Sequence, residues 1–373
     1  MPHQVDEAQS ANMLAVSKEP SGVAPTQEEV SSLLDTVMNA ESSAASVDAS
    51  YALTNLILNS VGYKGLHSYG IVAAIKKAAA DKKSGAKRES AMNLMGALFE
   101  RFPAQQPISE VIFLIQEGGL VPQALDALAD KGGVVKDAAQ YALDALFGLL
   151  SSEALIIGLL PVLVQYLSKR SGKWQGTVGA YKLMERIANK SKMEVGNTAQ
   201  EAQDKEILRD SLGTKLASLI PVCEAGMHDL KSDVEKAAVS AMNSLMHCLN
   251  NDDVAPRVPL LIATMQNPST ETLQKAIHAL SQTTFVAIVT SPVLALLTPL
   301  LERSLNTPST AQEVLRQTVV VVDVEVVCVR ENDFAEVIQV PVGVCMTDVE
   351  GQPHAGSVHE SVLLIRVAAE EVV

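Results

Sequence analysis

Phe, Tyr and Trp together make up only 3% of this 373-residue chain, and tryptophan occurs once. A core with so few rings has to be filled by small and aliphatic side chains. The apolar share of 47%, rich in Ala, Leu and Val, suits closely stacked helices better than sheets and is ample for one large domain or two ordinary ones. Cysteine is also scarce. Cys223, Cys248, Cys328 and Cys345 show no C-x-x-C spacing, which excludes a disulfide scaffold and a structural zinc site and leaves reduced thiols of a cytosolic protein. His354 and His359 near Cys345 have no metal-ligand spacing either, so no metal is expected. The opening stretch, "MPHQVDEAQSANMLAVSKEPSGVAPTQEE", lacks the charged and apolar regions of a secretion signal. Residues 1–29 read as a disordered lead-in.

Charge is missing from one long stretch. In a chain of formal net charge −14, the segment from Ala276 to Leu301 contains no Asp, Glu, Lys or Arg. Its length would suffice to cross a membrane. However, His278, Ser281, Gln282, Thr283, Thr284, Thr290 and Ser291 interrupt it, and Pro292 and Pro299 break any continuous helix. It reads instead as two buried helix segments joined by a Thr/Ser/Pro turn, in a protein where neighbours shield each helix and a charge would be costly.

The rest of the sequence has an internal period. From about Val30, apolar residues recur at helical spacing and the segments pair: "GLVPQALDALADKGGVVKDAAQYALDALFGLL", "LLPVLVQYLSKRSGKWQGTVGAYKLMERIA" and "LIPVCEAGMHDLKSDVEKAAVSAMNSLMHCL". Pro122, Pro161, Pro221, Pro259 and Pro299 recur at a spacing of about 40 residues, the period of HEAT or armadillo helical pairs. The interval from Pro161 to Pro221 is half as long again, which a polar insert at Lys192–Glu206 explains. Ala138, Ala139, Gly179, Ala237, Ala238 and Ala276 follow their prolines at a nearly constant offset, where a second helix must come close to the first. Residues 30–322 are therefore expected to form an all-α solenoid of roughly seven helix pairs. Residues 323–373 are expected to be an irregular tail, since the sequence from Val319 onward is dominated by valine and reads as short strands or disorder.

No reaction site is visible. G-x-x-x-x-G-K-[ST] is not met: at Gly172-Lys173 the next residue is Trp174, and Leu167 stands in place of the first glycine. G-x-G-x-x-G, G-x-S-x-G and H-E-x-x-H do not occur, so the chain is read as a binding module and not an enzyme, without a cofactor of its own. Two basic clusters break the acidic background. Lys76, Lys77, Lys82, Lys83, Lys87 and Arg88 lie across one turn, and Lys169, Arg170 and Lys173 lie at another. They are either ordinary solvated turns or an RNA contact, because phosphate neutralisation dominates nucleic-acid affinity. Trp174 reads as a core residue in preference to a stacking platform for a base.

Long strings such as "TETLQKAIHALSQTTFVAIVTSPVLALLTPLLERSLN", "IPVCEAGMHDLKSDVEKAAVSAMNSL", "GKWQGTVGAYKLMERIANKSKME" and "ADKGGVVKDAAQYALDAL", spread over about Ile71 to Val322, resemble the N-terminal HEAT domain of fungal translation elongation factor three. The resemblance implies a cytoplasmic protein whose partner is the ribosome, both rRNA and ribosomal proteins, with no membrane or DNA partner. In full-length relatives, ATP-binding cassettes follow and drive release of exit-site tRNA. Here "VEVVCVRENDF" departs from the family pattern and no cassette follows, so the chain is expected to be a truncated relative that keeps binding without ATPase activity. A generic HEAT scaffold for protein partners is the alternative.

Overall fold

The computed structural model describes residues 24–62, 64–102, 108–116, 118–169, 172–194, 197–283, 287 and 289–306, together with three strands at 320–328, 336–342 and 363–366. The chain divides into two compact units, Met1–Met184 and Glu185–Val373. Each is a stack of helical hairpins, so the fold is an all-α solenoid of HEAT type.

The first unit opens with α1 (Gln27–Met38) and α2 (Ser43–Ser60). α1 begins inside the stretch expected as lead-in because Thr26 and Glu29 form a capping box: Thr26 Oγ1 accepts the Glu29 N–H at 3.2 Å and Glu29 Oε2 accepts the Thr26 N–H at 2.8 Å. After the short α3 (Lys64–Ser68) come α4 (Ile71–Ala79) and α5 (Gly85–Arg101). α6 (Ile108–Gln116) then leads to α7 (Leu120–Ala127) and α8 (Gly133–Leu149). α5 is buried along every residue from Ser90 to Phe99, because α2, α4 and α8 all pack on it. Where α8 crosses, Gly96 gives room for the Tyr141 ring, which a Cβ would overlap. The Tyr141 and Tyr51 hydroxyls both donate to the Glu100 carboxylate, which ties α2, α5 and α8 together at the edge of this contact. Burial, more than the neighbouring carboxylate, holds both phenols above their ordinary pKa.

α9 (Leu160–Lys169) is entered without a break through Ser152–Ala154 and a π-helical turn at Leu155–Leu159. Pro161 explains the turn. It has no N–H to offer the Ile157 carbonyl, and the Gln116 side chain donates to that oxygen instead, at 2.9 Å. The stretch Ser152–Lys169 is long and apolar enough by composition to cross a membrane, but half of it is buried within the protein. α10 (Trp174–Lys190) follows, and the division between the units falls within it. Gly176 and Gly179 lie where α10 meets α7. A Cβ at Gly176 would overlap the Tyr166 hydroxyl and stand 2.7 Å from the Leu125 carbonyl oxygen.

In the second unit the insert is not a detached loop. Its C-terminal half extends α11 (Ala199–Met227), which starts at a capping box between Thr198 and Glu201 and places Pro221 inside the helix. Pro299 is likewise internal to α15 (Ser291–Asn306) and Pro161 lies within the continuous run from Ser152, so only Pro122 and Pro259 of the five occupy the first turn of a helix. α12 (Ser232–Leu245) packs on α11, and α13 (Val258–Gln266) and α14 (Thr270–Ser281) form the next hairpin before α15. The uncharged run Ala276–Leu301 is thus the end of α14, a connection and most of α15, with Ala276, Leu280, Val293, Leu296, Leu297 and Leu300 all buried. Arg303 reaches back from α15 to the Glu224 carboxylate on α11 at 2.7 Å.

Ser191, just past α10, is almost fully buried with its hydroxyl 2.7 Å from His247 Nε2, and His247 Nδ1 donates to the Ser244 carbonyl. Burial, with the fields of Lys192 and Arg209, depresses the imidazole pKa. Cys223 and Cys248 are buried thiols, and burial pushes Cys223 up to about 12, which makes it unreactive. In the tail, β1 (Val320–Cys328) pairs antiparallel with β2 (Glu336–Val342) and parallel with β3 (Leu363–Arg366), in the order β2-β1-β3. The pairing takes up the strand alternative for the Val-rich sequence, and β1 begins just before the boundary placed at Val322. His354, His359 and Cys345 lie outside the described residues.

Gly176→Ala should gain up to about 1 kcal/mol in helix propensity but lose more to overlap with Tyr166 and a backbone carbonyl that cannot swing away. A net destabilisation of about 1–3 kcal/mol is expected in urea denaturation. Because the folded His247 titrates below its ordinary 6.5, the unfolded chain takes up the proton more readily, so stability is lost as pH falls through 6.5. Urea midpoints measured on either side of that pH should show the loss, and His247→Gln should flatten it.

Candidate nucleic-acid interface

Within the first unit, the short connections inside successive hairpins are brought together along one edge. The first runs from Ala80 to Ser84, between α4 and α5, and its backbone is fixed by Asp81, whose Oδ1 accepts the Lys83 N–H at 2.7 Å and the Ser84 N–H at 2.9 Å. Those two hydrogen bonds hold the Asp81 carboxyl below its ordinary range. Ser84 then caps α5 through the Lys87 N–H. Lys82 and Lys83, lifted clear by this turn, are exposed.

The second connection, between α7 and α8, is bound to the first by Arg88. Its guanidinium makes a two-pronged bond to Asp130, Nε to Oδ2 at 2.6 Å and Nη2 to Oδ1 at 3.0 Å, while Nη1 donates to the Asp81 carbonyl at 2.8 Å. Asp130 Oδ1 also accepts the Gly132 N–H at 2.9 Å. Arg88, first among these causes, holds the Asp130 carboxyl well below the usual carboxylate range, and Lys173 adds its field from the third connection. That third connection, between α9 and α10, is anchored by Tyr166, which packs against Gly172 and Gly176 and donates to Asp126 on α7 at 2.7 Å.

The residues expected from sequence therefore separate. Lys82 and Lys83 on the first connection and Lys169 and Lys173 at the third are exposed, and Lys87 is half-exposed at the start of α5. Arg88 is spent on Asp130 and is a structural latch. Lys76 and Lys77, on the last turn of α4, are exposed as well, with Lys76 beside Gly119 at the start of α7, where a Cβ would fall 3.5 Å from its Nζ. Arg170 lies outside the described residues. One basic residue was missed. Lys131, exposed on the middle connection, fills the gap between the clusters, and the recurrence of Lys83, Lys131 and Lys173 at intervals close to one repeat was the available signal. Trp174, expected in the core, is 40% exposed at the first position of α10. Its buried neighbours on that helix begin near Gly176, and two steps along a helix correspond to about 200° of rotation. The inward slot is already occupied by Tyr166. Of the carboxylates near this edge, Asp130 is paired with Arg88, Asp81 accepts two backbone N–H groups, and Asp126 accepts the Tyr166 hydroxyl.

Stacked helical hairpins of this period, with hairpin connections aligned on one edge, define a HEAT-repeat module. The family model described as EF3 N-terminal HEAT repeat matches residues 46–202, and one described as Elongation factor 3/GNC1 HEAT repeat matches residues 271–337, which carries the match past Val322. The chain is 34% identical over 297 residues to the mRNA export factor elf1 of Schizosaccharomyces pombe, covering 80% of this chain and 25% of that protein. It is 34% identical over 268 residues to the NU+ prion formation protein 1 of Saccharomyces cerevisiae, covering 71% and 20%. It is 31% identical over 276 residues to elongation factor 3 of Mycosarcoma maydis, covering 74% and 23%. The chain is an elongation factor 3-like N-terminal HEAT-repeat region, and it spans a quarter or less of the length of these relatives.

If Arg88 is a latch, Arg88→Gln should destabilise the chain by about 1.5–3 kcal/mol, the range for hydrogen bonds to a charged group. Since the folded Asp130 carboxyl titrates below 3.8, the stability it supplies is present above that pH and lost as pH falls beneath it. Acid unfolding followed by circular dichroism should show a smaller loss below 3.8 in the variant than in the parent chain.

Proposed function

We propose that this chain is a cytoplasmic binding module that engages the ribosome, with the lysines of the first unit's hairpin connections contacting RNA phosphates. One observation carries the reading: three connections far apart in sequence present Lys82, Lys83, Lys131, Lys169 and Lys173 on one edge, with Asp130 between them paired to Arg88. An acidic chain that binds RNA must do so through local positive surface of this kind. Similarity to elongation factor 3 supports the ribosome as the source of that RNA, and similarity to a protein named as an mRNA export factor makes messenger RNA the second reading. The role proposed for this region is binding.

Co-sedimentation with ribosomes at graded salt tests this. The chain should pellet at low salt and dissociate as salt rises. Reversing Lys82, Lys83, Lys131, Lys169 and Lys173 to Glu should weaken binding and lower the salt slope by about one for each of these lysines that neutralises a phosphate. A chain that stays in the supernatant at low salt overturns the ribosome reading. Pelleting with messenger ribonucleoprotein but not with ribosomes favours the second. Ribosome binding with an unchanged slope in the variant removes RNA and leaves a protein-protein scaffold.

A further inference from the structure

Resting on the RNA reading of this edge, we infer that Trp174 is an aromatic platform on which an unpaired RNA base stacks. The chain has a single tryptophan, and the fold places it on the basic edge and not in the core. It directly follows the exposed Lys173, one short connection after the exposed Lys169, and the field of Lys173 reaches Asp130, next to Lys131. Its outward position is imposed: the inner face of α10 starts near Gly176, and the Tyr166 ring fills the space over Gly172 and Gly176 that an indole would need. Among the described residues Val134, at the second position of α8, is the other large exposed apolar residue on this edge, but it is aliphatic and offers no π-face; Phe113, Ile157, Met193 and Ile207 lie away from these connections, and Leu230 belongs to the second unit. A half-exposed indole next to Lys173 in the chain, on an edge that carries further exposed lysines, matches the two parts of a single-stranded nucleotide, a flat π-face and an anionic backbone. A stacked base in a duplex offers no free face, and a polyanion without bases offers only charge. The platform therefore selects unpaired RNA at an edge that would otherwise recognise phosphate alone.

The lone tryptophan makes the test direct, because its emission reports this position and no other. The full chain is titrated with a fluorescently labelled oligoadenylate of about 12 nucleotides, within the span that single-strand binding grooves cover, with an RNA duplex of similar length and with heparin, while tryptophan emission and anisotropy are recorded. Oligoadenylate should quench Trp174 saturably, and duplex and heparin should bind with little quenching. Trp174→Ala should weaken oligoadenylate affinity about tenfold or more, by the same factor at every salt concentration, and leave heparin affinity unchanged, with Trp174→Phe recovering part of the loss. Oligoadenylate binding that leaves the emission unchanged, or that survives in Trp174→Ala at full strength, overturns the platform and leaves the lysine contacts standing. Failure of the parent chain to bind any of the three probes at low salt overturns the platform together with the RNA edge beneath it.

Discussion

The structure depends on how closely one hairpin can approach the next. A single helical pair cannot bury its apolar stripe, and only neighbours on either side remove it from water. α5 is the extreme case, buried from Ser90 to Phe99 by the helices packed around it, α2, α4 and α8 above all. Such an approach requires small residues at the crossings: Gly96 beneath Tyr141, Gly158 beneath Ile112, and Gly176 and Gly179 beneath Tyr166, Leu125 and Leu128. Where rings are so scarce, Tyr141 and Tyr166 are placed against glycines that accept them, and Trp174 is left outside.

The polar interactions follow from this stacking. Arg88 meets Asp130 because α5 and α8 are in contact, and the bond joins connections that belong to successive hairpins. Its geometry is two-pronged and its carboxylate is largely buried, with side-chain exposures of 22% for Arg88 and 10% for Asp130, so it belongs with partly buried pairs and not with surface ion pairs of little energetic weight. The consequence for charge is indirect. By occupying Asp130, Arg88 removes an acid that would otherwise neutralise Lys131 and Lys173.

Proline positions show how local rules yield to packing. The period they mark is real, but the helix around Pro161 runs on through a π turn because Gln116 supplies the missing donor to Ile157. Pro221 lies deep in α11 because the polar insert, given a capping box at Thr198 and Glu201, continues as helix upstream of it. Both departures combine a feature legible in sequence with a partner or extension that is not.

The sequence alone determined the helical class, the repeat period, the burial of Ala138, Ala139, Ala238 and Ala276, and the reading of Ala276–Leu301 as two shielded helices, because each depends on periodicity within a few turns of chain. The tertiary structure decided which basic residues are available. Arg88 is withdrawn from the predicted cluster, Lys131 is added, and Trp174 is turned outward. No local pattern encodes these outcomes, since each is fixed by a side chain in a neighbouring repeat, or by a competitor such as Tyr166 for the same space, and such distances close only when hairpins stack.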